Sequence, residues 1–247
     1  MRVFSVCGIS GSGKTTTIEF VIKELVNRGY KVGSIKEIHN ESFHMDTIGS
    51  NTNRHKNAGS SLVCARGLYE TDMLFPGKLP MRKILSFYED DFDFVVIEGK
   101  TELFVPTILT AHSDADANEK WDDMVFCVSG RISSETKIFK GLPAIDATTN
   151  IKTLVDLIER KAYKLLPDFP EKCCTACGYS CKTLGKAILA GTKNRNDCVA
   201  DKNIELLCEG KQINMVPFVQ KILKNAILGV VSELDGYKDG DKVEIKF

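Results

Sequence analysis

The chain has 247 residues, 33 Lys+Arg against 33 Asp+Glu, 43% hydrophobic and 27% charged residues, and nine cysteines. That length holds one large domain or two modest ones, and the composition excludes disordered and fibrous classes. Up to Pro167 there are 21 basic and 22 acidic residues and beyond it 12 and 11, so neither part has the charge excess that drives binding to nucleic acid or a membrane surface.

Val3–Cys7 reads as a short buried strand, Gly8–Gly13 as a loop, and Lys14–Arg28 as a helix with Ile18, Val21, Ile22 and Leu25 on one face and Gly29 ending it. Lys31–Glu37 is a second strand, followed from Ile38 to Asn53 by a polar stretch long enough to read as a functional loop. Ser60–Arg66, Asp93–Glu98 and Asp123–Ser129 are further strands, with helices near Met81–Tyr88 and at Asn150–Leu165. Strands alternating with helices predict an α/β fold with a mainly parallel sheet. Pro167 and Pro170 break the pattern, which divides the chain into residues 1–166 and a small α+β part, 167–247, with helices at Ser180–Ala190 and Pro217–Leu234 and a terminal strand at Lys242–Phe247.

No apolar run approaches the roughly 18 residues that cross a bilayer. The chain enters a glycine-rich motif within its first ten residues, with no stretch reading as a signal peptide, so the expected setting is the cytoplasm. Nine cysteines in a reducing compartment argue against a disulfide framework, and the clustering of five between Cys173 and Cys198 points to metal.

Gly8-Ile9-Ser10-Gly11-Ser12-Gly13-Lys14-Thr15 fits the phosphate loop G-x-x-x-x-G-K-[ST] between a predicted strand and a predicted helix. The glycines let backbone N–H groups turn inward around a phosphate, and the helix offers its positive end to the same charge. Lys14 is assigned to the β- and γ-phosphates of a nucleoside triphosphate and Thr15 to Mg²⁺. Ile9, where the nitrogenase-iron-protein and chromosome-partitioning ATPases carry a signature lysine, sets that loop variant aside. Phe94-Val95-Val96-Ile97 ends in Glu98, where a carboxylate serving Mg²⁺ or the attacking water is needed, and Gly99 beside it admits close approach of the backbone. In the long loop His39, His44, Asp46, Thr47, Arg54 and His55 are polar candidates to order around the γ-phosphate. Asp46 is the strongest of them, and the three histidines lack a metal-binding spacing.

These segments together resemble the MobB family, the molybdopterin-guanine dinucleotide biosynthesis adaptors. The resemblance rests on Gly8–Thr15 with Thr16, Arg28-Gly29-Tyr30-Lys31-Val32-Gly33-Ser34-Ile35-Lys36, the histidine loop leading to Asp46, Arg54 to Ala58-Gly59-Ser60, and Ile97-Glu98-Gly99. It implies a homodimeric P-loop protein that binds GTP, hydrolyses it weakly, and assists the nucleotidyltransferase that attaches GMP to the molybdenum cofactor. Three positions depart from the family's pattern: Glu37 stands where a histidine is usual, Ser60 where an alanine is usual, and Lys100 follows the Glu-Gly pair. No Asn-Lys-x-Asp guanine-reading motif is visible, so preference for GTP over ATP rests on the resemblance.

Cys174-x2-Cys177-x3-Cys181-x16-Cys198 supplies four thiolates around Gly178. Cys174–Val199 looks like the four-cysteine module of corrinoid iron–sulfur proteins, which implies a [4Fe–4S] cluster on Cys174, Cys177, Cys181 and Cys198, with Cys173 as a substitute for Cys174. Zinc is the alternative metal, and unliganded thiols or a labile disulfide the third reading. Cys7, Cys64 and Cys127 read as core residues of buried strands. The favoured reading is a GTP-binding adaptor of molybdenum or tungsten cofactor maturation. The alternatives are an ATP-dependent activator or metallochaperone that couples hydrolysis to the cluster, and a redox-sensing nucleotide-binding module that hydrolyses nothing.

Overall fold

The computed structural model describes residues 1–40, 42–89, 91–169, 174, 177–199, 204, 206–208, 211–213, 215–238, 241 and 243–244. It divides into two compact units, Met1–Lys164 and Leu165–Phe247.

The first unit is built on β1 (Arg2–Gly8), α1 (Lys14–Asn27), β2 (Val32–Lys36), α2 (Asn51–Asn57), β3 (Val63–Arg66), β4 (Thr71–Leu74), α3 (Met81–Ser86), β5 (Phe94–Glu98), β6 (Thr107–Thr110), α4 (Asp114–Glu119), β7 (Val125–Ser129), α5 (Ile132–Glu135), β8 (Ile138–Phe139), β9 (Leu142–Pro143) and α6 (Ile151–Lys161). Five strands form one parallel sheet in the order β2-β5-β1-β6-β7. Val3 to Val6 of β1, Phe94 to Ile97 of β5 and all of β7 are buried, as strands covered on both faces must be.

Thr17, Ile18, Val21 and Leu25 turn one stripe of α1 inward, and Leu154, Val155, Leu157 and Ile158 do the same for α6, which packs against it. Arg28 clamps that pair, donating to Glu24 at 2.9 Å, Asp156 at 2.7 Å and Glu159 at 3.0 Å. After β1 the chain crosses toward β2, whereas after β6 it crosses toward β7. The strand order therefore reverses direction between β1 and β6, and the carboxyl ends of strands at such a point are where open parallel sheets bind ligands.

The expected α/β fold with a mainly parallel sheet is present, with several local corrections. Ser60–Arg66 was expected among the sheet strands, but β3 pairs antiparallel with β4 in a separate hairpin. Its residues alternate between buried Val63 and exposed Cys64 and Arg66, a pattern that cannot sit inside a sheet covered on both faces. Cys64 is accordingly exposed rather than core, Cys7 is partly buried, and Cys127 is buried as expected. The sheet position beside β1 belongs to β6, a four-residue strand with no strand expectation behind it. The long loop after β2 contains α2, an entirely polar helix that buries nothing and so leaves no apolar periodicity to read.

In the second unit α7 (Cys181–Leu189) starts at Ser180, whose hydroxyl accepts from the Thr183 N–H, and buries Leu184, Gly185 and Leu189. A 3₁₀ turn at Arg195–Asp197, closed by a reciprocal capping pair of Asn194 and Asp197, leads to Cys198. β10 (Leu206–Cys208) and β11 (Lys211–Ile213) form an antiparallel hairpin, and α8 (Pro217–Val231) follows. The expected strand Lys242–Phe247 falls largely outside the described residues.

Candidate phosphate-binding site

β1 delivers Gly8 to the carboxyl end of the sheet, and the loop from Gly8 to Gly13 carries the chain into α1. Gly11 and Gly13 hold left-handed φ values of 72° and 103°, and Gly13 is the residue that caps the helix. The first turn of α1 contains no acidic residue, so the positive end of the helix dipole is not offset by its own side chains. The Lys14 ammonium reaches back over the loop to the carbonyls of Gly8 at 3.1 Å and Ile9 at 2.5 Å. It thereby lies across the mouth that the backbone encloses.

Ser12 belongs to the loop's foundation. It is fully buried, and its Oγ lies 2.8 Å from the Ile9 carbonyl and 2.7 Å from Thr110 Oγ1, which itself lies 3.0 Å from the Cys7 carbonyl. The two hydroxyl protons are distributed over these three contacts and tie the loop to β6. A Cβ on Gly8 would run into the carbonyl of Thr110, and one on Gly130 into that of Ser12, so both positions demand glycine. Ser10 and Thr16 are exposed, available to a ligand from the solvent side.

Beneath the loop, Thr15 Oγ1 donates to Glu98 Oε1 at 3.0 Å. The same oxygen accepts from Lys36 Nζ at 3.2 Å, and the Glu98 side chain is 15% exposed against 59% for Lys36. Lys36 and Glu98 are register partners at the carboxyl ends of β2 and β5. Next to them Glu37, 10% exposed, pairs with Lys78 at 2.6 Å, which raises the Lys78 pKa. Gly99 turns with φ 108°, and its N–H donates to the Val6 carbonyl at 2.9 Å.

The candidates are thus separated by the fold. Gly8, Gly11, Gly13, Lys14, Thr15 and Glu98 converge at one end of the sheet, whereas Asp46 is engaged locally. Its Oδ1 accepts from Ser50 Oγ and Thr52 Oγ1, both at 2.8 Å, at the start of α2, and these bonds hold its carboxyl below the ordinary range. His39, His44, Arg54 and His55 are exposed. Cys7, directly under the loop, is kept a neutral thiol: burial first, and then the Asp122 carboxylate, push its pKa up to about 11.

Sequence reading gave no role to four residues that the structure brings here: Lys36, Thr110, His112 and Gly130. His112 follows β6 and places Nε2 3.4 Å from the Ser10 carbonyl, over the outer face of the loop. The available signal was positional, since each closes or follows a strand of the sheet. Reading it requires the strand order.

In the second unit Cys174, Cys177, Cys181 and Cys198 are partly buried free thiols. Burial raises the Cys181 pKa, opposed by the backbone N–H groups of Phe169 and Asp168, while Cys198 raises it further. Among the described residues no group of three or more His, Cys, Asp or Glu side chains is gathered as a metal site. Cys173 lies outside the described residues. Among the described residues no helix is long and apolar enough to cross a membrane.

Residues 3–128 match the family described as Molybdopterin guanine dinucleotide synthesis protein B. A Methanocaldococcus jannaschii protein, named provisionally as a molybdopterin-guanine dinucleotide biosynthesis adapter protein, is 31% identical over 251 residues, covering 100% of this chain and 97% of that relative. A Haemophilus influenzae protein of that adapter name is 32% identical over 112 residues, 43% of this chain and 61% of its own length. The crystal structure of Bacillus subtilis MobB superposes with a TM-score of 0.55 at 20% identity, covering 66% of this chain and 99% of that one, a likeness of fold. With its phosphate loop, its Glu98-ended strand and a relative aligned along its whole length, the chain belongs to the MobB family.

Proposed function

We propose that the Met1–Lys164 unit binds GTP with Mg²⁺ and hydrolyses it slowly, and that the chain serves molybdopterin-guanine dinucleotide biosynthesis as an adapter beside the nucleotidyltransferase that attaches GMP. The observation that carries the reading is the convergence of Thr15 Oγ1 and Glu98 Oε1, 3.0 Å apart, below a glycine loop that opens a helix.

The donor set fits a hard divalent cation: a hydroxyl and a carboxylate on which an ammonium already rests. When bound, Mg²⁺ supplies positive charge to the β- and γ-phosphate oxygens. The chain's own residues do the rest. Lys14 exchanges the carbonyls of Gly8 and Ile9 for phosphate oxygens, the loop N–H groups of Gly11 and Gly13 hold the charge, and Ser10 and Thr16 border it. Glu98 orients the attacking water or the cation. Asp46 would reach this chemistry only by a rearrangement of its loop, in the manner of an ordering switch.

Calorimetric titration of anaerobically purified full-length protein with GTP and ATP analogues tests this reading. Preference for guanine supports it, and preference for adenine overturns the adapter assignment in favour of ATP-driven chemistry. Sedimentation tests the homodimer.

For the second unit the proposal is a cysteine-rich module holding a [4Fe–4S] cluster on Cys174, Cys177, Cys181 and Cys198. What supports it is the C-x2-C-x3-C-x16-C spacing of these four residues in the sequence. Iron and acid-labile sulfide in equal amounts, about four each per chain, support the cluster. Stoichiometric zinc without sulfide replaces it.

A further inference from the structure

Lys36 stands on the one carboxylate of the site that a divalent cation would use. Its ammonium is 3.2 Å from Glu98 Oε1, and Thr15 Oγ1 donates to that same oxygen at 3.0 Å. The pairing is written into the backbone, because Lys36 and Glu98 close adjacent parallel strands in register. Nor is Lys36 drawn to the neighbouring carboxylate, since Glu37 is taken by Lys78 at 2.6 Å. Glu98 is 15% exposed, an anion held close under the mouth of the loop, where a nucleotide would bring several further negative charges.

We infer that Lys36 is an internal stand-in for the divalent cation. Resting on the reading of this unit as a Mg²⁺–nucleotide site, the inference assigns it a regulatory role: it neutralises Glu98 before ligand arrives and yields that oxygen when Mg²⁺ enters with the nucleotide. Two cations compete for one oxygen, so the lysine reduces the advantage that Mg²⁺ confers on nucleotide binding. Its charge also keeps the Mg²⁺-free protein able to accept a triphosphate that a bare Glu98 would repel. With 59% of its side chain exposed, Lys36 leaves the carboxylate without breaking any buried packing.

The test is calorimetry with a non-hydrolysable GTP analogue, with Mg²⁺ and with chelator, on the full-length protein and its Lys36→Met, Lys36→Gln, Glu98→Gln and Lys36→Met/Glu98→Gln variants. The quantity read is the affinity ratio with and without Mg²⁺. Removing the lysine charge raises that ratio about three- to fivefold, the scale of a half-exposed ion pair, through weaker Mg²⁺-free binding and a lower Mg²⁺ half-saturation point. In the Glu98→Gln background the same substitution leaves the ratio within about twofold, because the carboxylate being contested is gone. A ratio unchanged by both Lys36 substitutions, or an effect that persists without the Glu98 charge, overturns the inference while nucleotide binding itself stands. Wild-type protein that binds no nucleotide in either condition overturns the underlying reading, a separate and recognisable result.

Discussion

Thr15 Oγ1 donates to Glu98 Oε1 across 3.0 Å although the two residues are 83 positions apart in the chain. The contact exists because β1 and β5 are register neighbours, with Val6 opposite Glu98, so the loop leaving β1 and the acid ending β5 meet at the carboxyl end of the sheet. Most of the unit's testable behaviour follows from that meeting point.

Lys14→Ala removes the loop's mobile charge without touching the core, since among the described residues Nζ bonds the carbonyls of Gly8 and Ile9. Charged hydrogen bonds contribute ~1.5–3 kcal/mol, so nucleotide affinity falls about tenfold to 150-fold with thermal stability preserved. Full retention of affinity and turnover in this variant, measured by calorimetry and phosphate release, would sink the phosphate-loop assignment.

Ser12→Ala separates a tether from a ligand contact. The buried hydroxyl bridges Ile9 and Thr110, so its loss costs stability, about 1–2 kcal/mol, more than it costs nucleotide affinity. Denaturant unfolding of Ser12→Ala, Thr110→Val and the double variant gives less than the sum of the single effects, because each single change strands the other's partner.

Gly130→Ala tests whether the loop after β7 supports the phosphate loop. The added Cβ meets the Ser12 carbonyl at a φ of 82°, and the expected cost is ~1–3 kcal/mol of backbone strain together with weaker nucleotide binding. Gly141→Ala, where a Cβ meets nothing within 4 Å at a φ of 78°, carries the strain without the collision. Equal loss of nucleotide affinity in the two variants would refute the role of the close approach.

Asp46 supplies a pH signature. Its folded pKa is depressed by Ser50 and Thr52, so its contribution to stability is full above the unfolded carboxylate value and disappears as pH falls through the depressed one. Asp46→Asn therefore lowers protection of the α2 amides at neutral pH, and the difference from wild type closes in acid. Hydrogen exchange at both pH values reads this, and a difference that does not depend on pH speaks against the carboxylate as the anchor.

Much of this was legible from local pattern. The phosphate loop announces itself because its backbone geometry needs glycines at fixed spacing, and β5 because a strand buried on both faces is apolar throughout. Two elements hid for physical reasons: α2 buries nothing and so has no stripe, and β6 spans only four residues, too few to show a period.

The sequence by itself determined that a glycine-rich loop of the pattern G-x-x-x-x-G-K-[ST] lies between β1 and α1, that an acid closes β5, and that a cysteine-rich segment follows the prolines, since each is written in adjacent residues. Only the tertiary structure decided that Glu98 rather than Asp46 meets Thr15, that Lys36 shares the carboxylate, and that Thr110, His112 and Gly130 border the loop. Strand order decides those, and it follows from how the whole apolar surface is buried rather than from any one segment.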